Sequence, residues 1–86
     1  MAENTEMINA LKARVKDELE DSIKYMEMSH KARDCGKSQD VQIFRDIAKD
    51  EYTHAGHINH ILKEHGSNTD EYHEMWVKTQ KAVYGI

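Results

Sequence analysis

Between Phe44 and Leu62 the large apolar residues fall three and four apart, as Phe44, Ile47, Ile58 and Ile61. That spacing sets them on one face of an α-helix. Glu51 and His54 complete the stripe at its centre, where a carboxylate and an imidazole are costly unless something pairs with them. The N-terminal third carries a second stripe: Ile8, Leu11, Val15, Glu18, Ser22, Tyr25, Ser29 and Ala32, widened on one flank by Leu19, Ile23 and Met26. Its period of about 3.5 suits long helices packed side by side. Glu18 sits in this stripe as Glu51 sits in the other. A third apolar side reads Tyr72, Met75, Trp76, Thr79, Ala82 and Val83.

Punctuation separates the three stretches. Gly36 is placed as a helix-terminating residue and Gly66 as another. Asn4 or Thr5, then Ser38, then Asn68 with Glu71 have the chemistry and spacing of N-terminal caps. The pattern predicts helices over about 5–35, 39–65 and 69–84, and no alternating β-branched run competes with them. The expected fold is all-α: an antiparallel two-helix hairpin plus a short C-terminal helix, residues 1–86 forming one domain.

Composition narrows the function. A single chain of 86 residues with no proline and 33% charged residues has a modest core and gains from a metal or a second subunit. A net charge of −4 speaks against nucleic-acid binding. No apolar run has the length of a membrane span or a signal-peptide core, so the expectation is a cytoplasmic protein without a membrane partner. Cys35 is the one cysteine, which rules out an internal disulfide and a Cys-x-x-Cys metal site.

The hairpin brings the anomalous residues to one level. Counted from the turn at Gly36, Glu18, Glu51 and His54 agree in height to within roughly 6 Å at 1.5 Å per residue. Glu-x-x-His on one helix, with a glutamate from the facing helix, is half of the di-metal carboxylate set found in four-helix bundles. Two copies about a twofold axis supply the whole set, and C2 is the commonest symmetry for such pairing. The expectation is therefore a homodimer, closing a four-helix bundle around a shared site with Glu18, Glu51 and His54 as metal ligands. Such donors suit Fe(II), and also manganese or zinc.

These residues, with Tyr25 seven positions after Glu18 and the run Glu51-Tyr52-Thr53-His54, resemble the ferritin-like superfamily, in its rubrerythrin-type and encapsulated-ferritin branch. The resemblance spans about residues 8–65. It implies a ferritin-like bundle with two irons per dimer, Glu51 bridging them, and Tyr25 hydrogen-bonded to a ligand carboxylate. It also implies assembly of dimers into a ring, enclosed in an encapsulin shell as a nanocompartment. The single hairpin and the missing cysteine-ligated iron domain set the chain apart from full-length rubrerythrins. Tyr84-Gly85-Ile86 is too short to be assigned as a shell-targeting tail.

Three functions fit. The first is a ferroxidase, an enzyme oxidising Fe(II) for iron storage or detoxification. The second is a rubrerythrin-like peroxide reductase on the same metals. The third is a metal-free helical dimerisation module in which Glu18 and Glu51 only set pairing specificity. Around the site, Asp50 is a candidate to orient His54, and Glu20 and Asp21 are candidates for a metal access path. His57 flanks the stripe. His30, His60, His65 and His73 read as surface residues, and Trp76 as an anchor for the third helix.

Overall fold

The computed structural model describes residues 2–85. Helix α1 spans Ala2–Asp34, α2 spans Ser38–Glu64, a 3-10 turn covers Asp70–Tyr72, and α3 spans His73–Tyr84. The expected all-α hairpin with a short third helix is what the chain forms. α1 begins ahead of the expected boundary, so Asn4 and Thr5 lie within the helix and do not cap it. Ile86 lies outside the described residues.

The two connections are closed by the same device. At the end of α1 the Gly36 N–H donates to the Arg33 carbonyl (3.1 Å) and the Lys37 N–H to the Ala32 carbonyl (2.8 Å). At the end of α2 the Gly66 N–H reaches Lys63 (3.0 Å) and the Ser67 N–H reaches Leu62 (2.9 Å). This double bond pattern needs a left-handed residue at its centre, and Gly36 and Gly66 supply it with φ of 73° and 74°. Lys37 takes the N-cap position of α2 and Ser38 is already helical. Asn68 accepts from the Asp70 N–H at 3.0 Å, but Glu71 does not close a capping box. Its carboxylate pairs with Lys12 of α1 at 3.4 Å instead, so it ties the third element to the hairpin.

Apolar stripes at this spacing predict that the two long helices pack stripe to stripe, and the packing of α1 on α2 differs from that. The bulky stripe of α2 lies along the edge of the contact with α1 and not at its centre: Phe44 stacks on Tyr25 and Ile58 packs against the core of Val15 and Leu19, yet neither is buried. The buried residues of α2 are Ala48, Ala55 and Leu62, seven apart and rotated from that stripe. They meet Val15, Leu19, Ser22, Met26 and Ser29, all buried on α1. Small side chains let the two backbones approach closely. The approach is recorded by two hydroxyls: Ser22 Oγ donates to the Ala48 carbonyl at 2.7 Å and Ser29 Oγ to the Val41 carbonyl at 3.1 Å. Phe44, Ile47, Ile58 and Ile61 are left half-buried or exposed along one edge of the layer.

Helix α3 lies against both long helices, with Thr79 and Val83 buried. Trp76 anchors it as expected. The Trp76 Nε1–H donates to Thr69 Oγ1 at 2.9 Å, and the Thr69 hydroxyl donates to Asn59 Oδ1 at 2.7 Å. The whole is a slab measuring 53 × 21 × 14 Å across its Cα atoms.

Candidate metal centre

Glu18 projects from the middle of α1, and Glu51 and His54 from the facing part of α2. One donor atom from each lies within 4.8 Å of the other two. The sequence expectation that these three converge is met in the structure. The level is set by the hairpin register: Ser22 against Ala48 and Ser29 against Val41 fix the slide of one helix on the other, and Glu18 then falls beside Glu51 and His54.

Glu18 is 6% exposed. One of its oxygens, Oε1, accepts from the Arg14 guanidinium one turn earlier. The other, Oε2, is buried with no hydrogen-bond partner, and His54 Nδ1 stands 3.8 Å from it. An unpartnered buried carboxylate oxygen is a substantial penalty in a fold that leaves few such atoms. His54 itself is open, its side chain 56% exposed, and Glu51 is half-buried. The site is therefore walled by the chain on one side and open on the other.

The two carboxyls respond to their closeness in opposite directions. Glu51 is pushed up to about 7, first by sharing a hydrogen bond with Glu18, then by burial and by the negative charges of Glu18 and Asp21, with His54 opposing. Glu18 is held below its usual value, first by the hydrogen bond from Glu51; burial opposes that, and Arg14 and His54 assist it. Two carboxylates at one site do not both ionise freely. A proton held by Glu51 gives Glu18 Oε2 the partner it otherwise lacks. A divalent cation would do the same for both groups at once.

The donor set thus fits a metal: two carboxylates and an imidazole, close together, one oxygen otherwise orphaned. Oxygen donors with a single imidazole suit Fe(II), Mn(II) or Zn(II). Arg14 is not among the sequence candidates, although its position four residues before Glu18 is the spacing at which helix side chains pair. It also lies 3.7 Å from Asp17.

Other sequence candidates fall out differently. Asp21 is near enough for its charge to act on Glu51, which keeps it beside the site. Tyr25 stacks on Phe44, ring centroids 6.4 Å apart, and within the chain its hydroxyl makes no hydrogen bond to Glu18 or Glu51. Asp50 and His57 are exposed, and no bond joins Asp50 to His54. His60 pairs with Glu64 at 3.0 Å on the surface. Among the described residues, Glu18, Glu51 and His54 are the one group of three acidic, histidine or cysteine side chains close enough to hold an ion.

A helical hairpin with a carboxylate-histidine group at mid-height defines the chain as a candidate metal protein of the ferritin-like type. The rubrerythrin family model matches residues 9–84, and the chain belongs to that family. Comparison with curated proteins and with solved structures gives no match. No helix among the described residues is long and apolar enough to cross a membrane.

Proposed function

We propose that two copies of the chain pair through the open side of the layer and bind two Fe(II) ions at a shared centre, where the iron is oxidised as substrate. The observation that carries this reading is the buried, unpartnered Oε2 of Glu18, set against Glu51 and His54. Each chain would supply Glu18, Glu51 and His54. Arg14 orients Glu18 by holding its other oxygen. Glu51 surrenders its proton as the cation arrives, because both compete for the same lone pairs. Bound iron supplies one electron per ion to dioxygen or peroxide.

The second copy is supported by where the apolar surface lies. Among the described residues, the exposed large apolar ones are Met7, Met28, Ile43, Ile61 and Tyr84. Helical spacing puts Met7, Leu11, Glu18, Tyr25 and Met28 on one side of α1, and Ile43, Ile47, Glu51, His54, Ile58 and Ile61 on one side of α2. All the exposed residues except Tyr84 thus flank the site. Concentrated exposed apolar surface marks an interaction site. A twofold partner placed there would cover it and present its own Glu18, Glu51 and His54. The same pairing would put Tyr25 within reach of a neighbouring chain's carboxylate. A ring of such dimers and an encapsulin shell are further extensions suggested by the resemblance to encapsulated ferritins.

Native mass spectrometry before and after anaerobic Fe(II) loading tests the proposal. A dimer gaining two irons is expected; a monomer, or a dimer that gains none, would hand the chain to the metal-free interaction reading. Following oxygen and peroxide consumption per iron then separates iron oxidation from peroxide reduction with an external donor.

A further inference from the structure

Near the turn between α1 and α2, these two helices and the end of α3 surround a cavity of about 220 Å³. Its basic lining is His30 and Arg33 from α1 and Arg45 from α2. No aspartate or glutamate lines it, although the chain carries a net charge of −4. The chain has three arginines. Arg14 is engaged by Glu18, and the other two both line this cavity. Arg33 uses only Nε, which donates to Asp34 Oδ1 at 3.3 Å on the surface. His30 and Arg45 make no hydrogen bond or ion pair among the described residues. The rest of the lining includes Met26, Val41 and Val83, and the bond from Ser29 to the Val41 carbonyl fixes α1 against α2 there. Cations beside a helix C-terminus also answer its free carbonyls, and α3 ends here at Tyr84. That attraction needs neither a cavity nor an apolar lining.

We propose that this cavity binds a phosphate-class dianion, either the free ion or the monoester of a small organic group. A guanidinium presents its N–H groups as a fork that matches phosphate oxygens two at a time, and two such groups answer a double negative charge. His30 adds a further donor. Met26, Val41 and Val83 offer no bond to an oxyanion and suit the short apolar part of an ester. The volume lies below the roughly 300 Å³ at which pockets for drug-sized ligands begin, which favours a ligand smaller than a nucleotide. The cavity includes Tyr84, the exposed apolar residue that lies off the face assigned to pairing. The inference depends on neither iron nor a second copy.

NMR titration of amide shifts in the metal-free full chain, at constant ionic strength, tests the site with inorganic phosphate and phenyl phosphate as probes. Saturable shifts should gather at residues 29–33, 41–45 and 82–85. Binding of both probes, or of inorganic phosphate alone, supports the site and tells an ester from the free ion. Arg33→Gln and Arg45→Gln should each weaken binding by about tenfold or more, as expected when a charge-assisted hydrogen bond is lost. Both residues are exposed, so the melting temperature without phosphate should stay as in the parent. Lys24→Gln removes the same charge from outside the cavity and should bind like the parent. Three results overturn the proposal: no saturable shift with either probe, equal weakening in Lys24→Gln, or arginine variants that melt earlier yet bind phosphate unchanged. Benzoate binding as tightly as phenyl phosphate would overturn the phosphate class.

Discussion

Glu18 Oε2 and His54 Nδ1 face each other across 3.8 Å, too far for a hydrogen bond and close enough for one ion to bind both. The oxygen has no other partner. Most of what the site should do in solution follows from that gap.

A divalent cation should stabilise the folded chain strongly. A ligand at a hundred times its dissociation constant adds about 2.7 kcal/mol, and each kcal/mol moves the midpoint of a domain this size by roughly 4–8 °C. Anaerobic Fe(II), or Zn(II) as a redox-inert substitute, should therefore raise the melting temperature by more than about 10 °C. Glu18→Gln and His54→Ala should lose the increase. A variant that keeps it removes that residue from the ligand set.

Without metal, Glu18 should be a burden to the fold. Replacing a buried charged group with an apolar one of similar volume is often neutral or stabilising. Glu18→Leu should leave metal-free stability unchanged or raise it, whereas Arg14→Ala should lower it by removing the guanidinium that holds Glu18 Oε1. Chemical denaturation of both variants under chelation checks the pair. A Glu18→Leu protein markedly weaker than the parent would assign that carboxylate a structural role.

The pH dependence follows from Glu51. Its carboxyl holds a proton up to about 7 in the folded chain, against 4.5 as the ordinary value. The resulting contribution to metal-free stability is whole below 4.5 and is lost as pH rises through about 7. Glu18, held low, acts in the opposite sense and only in more acidic solution. Denaturation midpoints should fall from the acidic to the basic side of 7, and Glu51→Gln should flatten the fall. Metal uptake on the acidic side of 7 should release a proton from Glu51, measurable in unbuffered solution.

Helix spacing depends on two serines and two alanines. Ser22→Ala deletes the bond to the Ala48 carbonyl and should cost about 1 kcal/mol. Ala48→Leu forces bulk into a fully buried position and should cost about 1–3 kcal/mol. It should also shift α1 against α2 and weaken metal binding, although residue 48 touches no ligand. Stability without a change in affinity would uncouple the helix spacing from the site.

Pairing of chains should fail before folding does. Ile61→Asp and Ile43→Asp alter exposed residues, so circular dichroism should remain helical while sedimentation shifts to the monomer. A monomeric parent protein under the same conditions would remove the premise.

The sequence alone made the helices, their glycine-closed ends and the meeting of Glu18, Glu51 and His54 legible. Apolar period and distance from the turn are enough to place residues along a helix and to compare heights across a hairpin. Rotation about the helix axis was harder to read. Phe44, Ile47 and Ile61 suggested the face turned to α1, yet Ala48 and Ala55 hold it, because small residues allow the closer approach and hydrophobic size does not register that. Glu71 had capping-box spacing, but a tertiary partner, Lys12, took it. Arg14 was visible in principle as an i, i+4 neighbour of Glu18. That His30, Arg33 and Arg45 would line one cavity with the end of α3 needed the docking angle of α3, which no periodicity encodes.

A slab 14 Å through has no depth in which to enclose an ion. Protein backs the three donors on one side only, so a single chain can offer a cation a seat and cannot shut the door behind it. If two copies pair as proposed, how long an ion stays is decided by how long the two molecules remain together. On that pairing dilution, rather than heat or acid, would be the mildest way to empty the site.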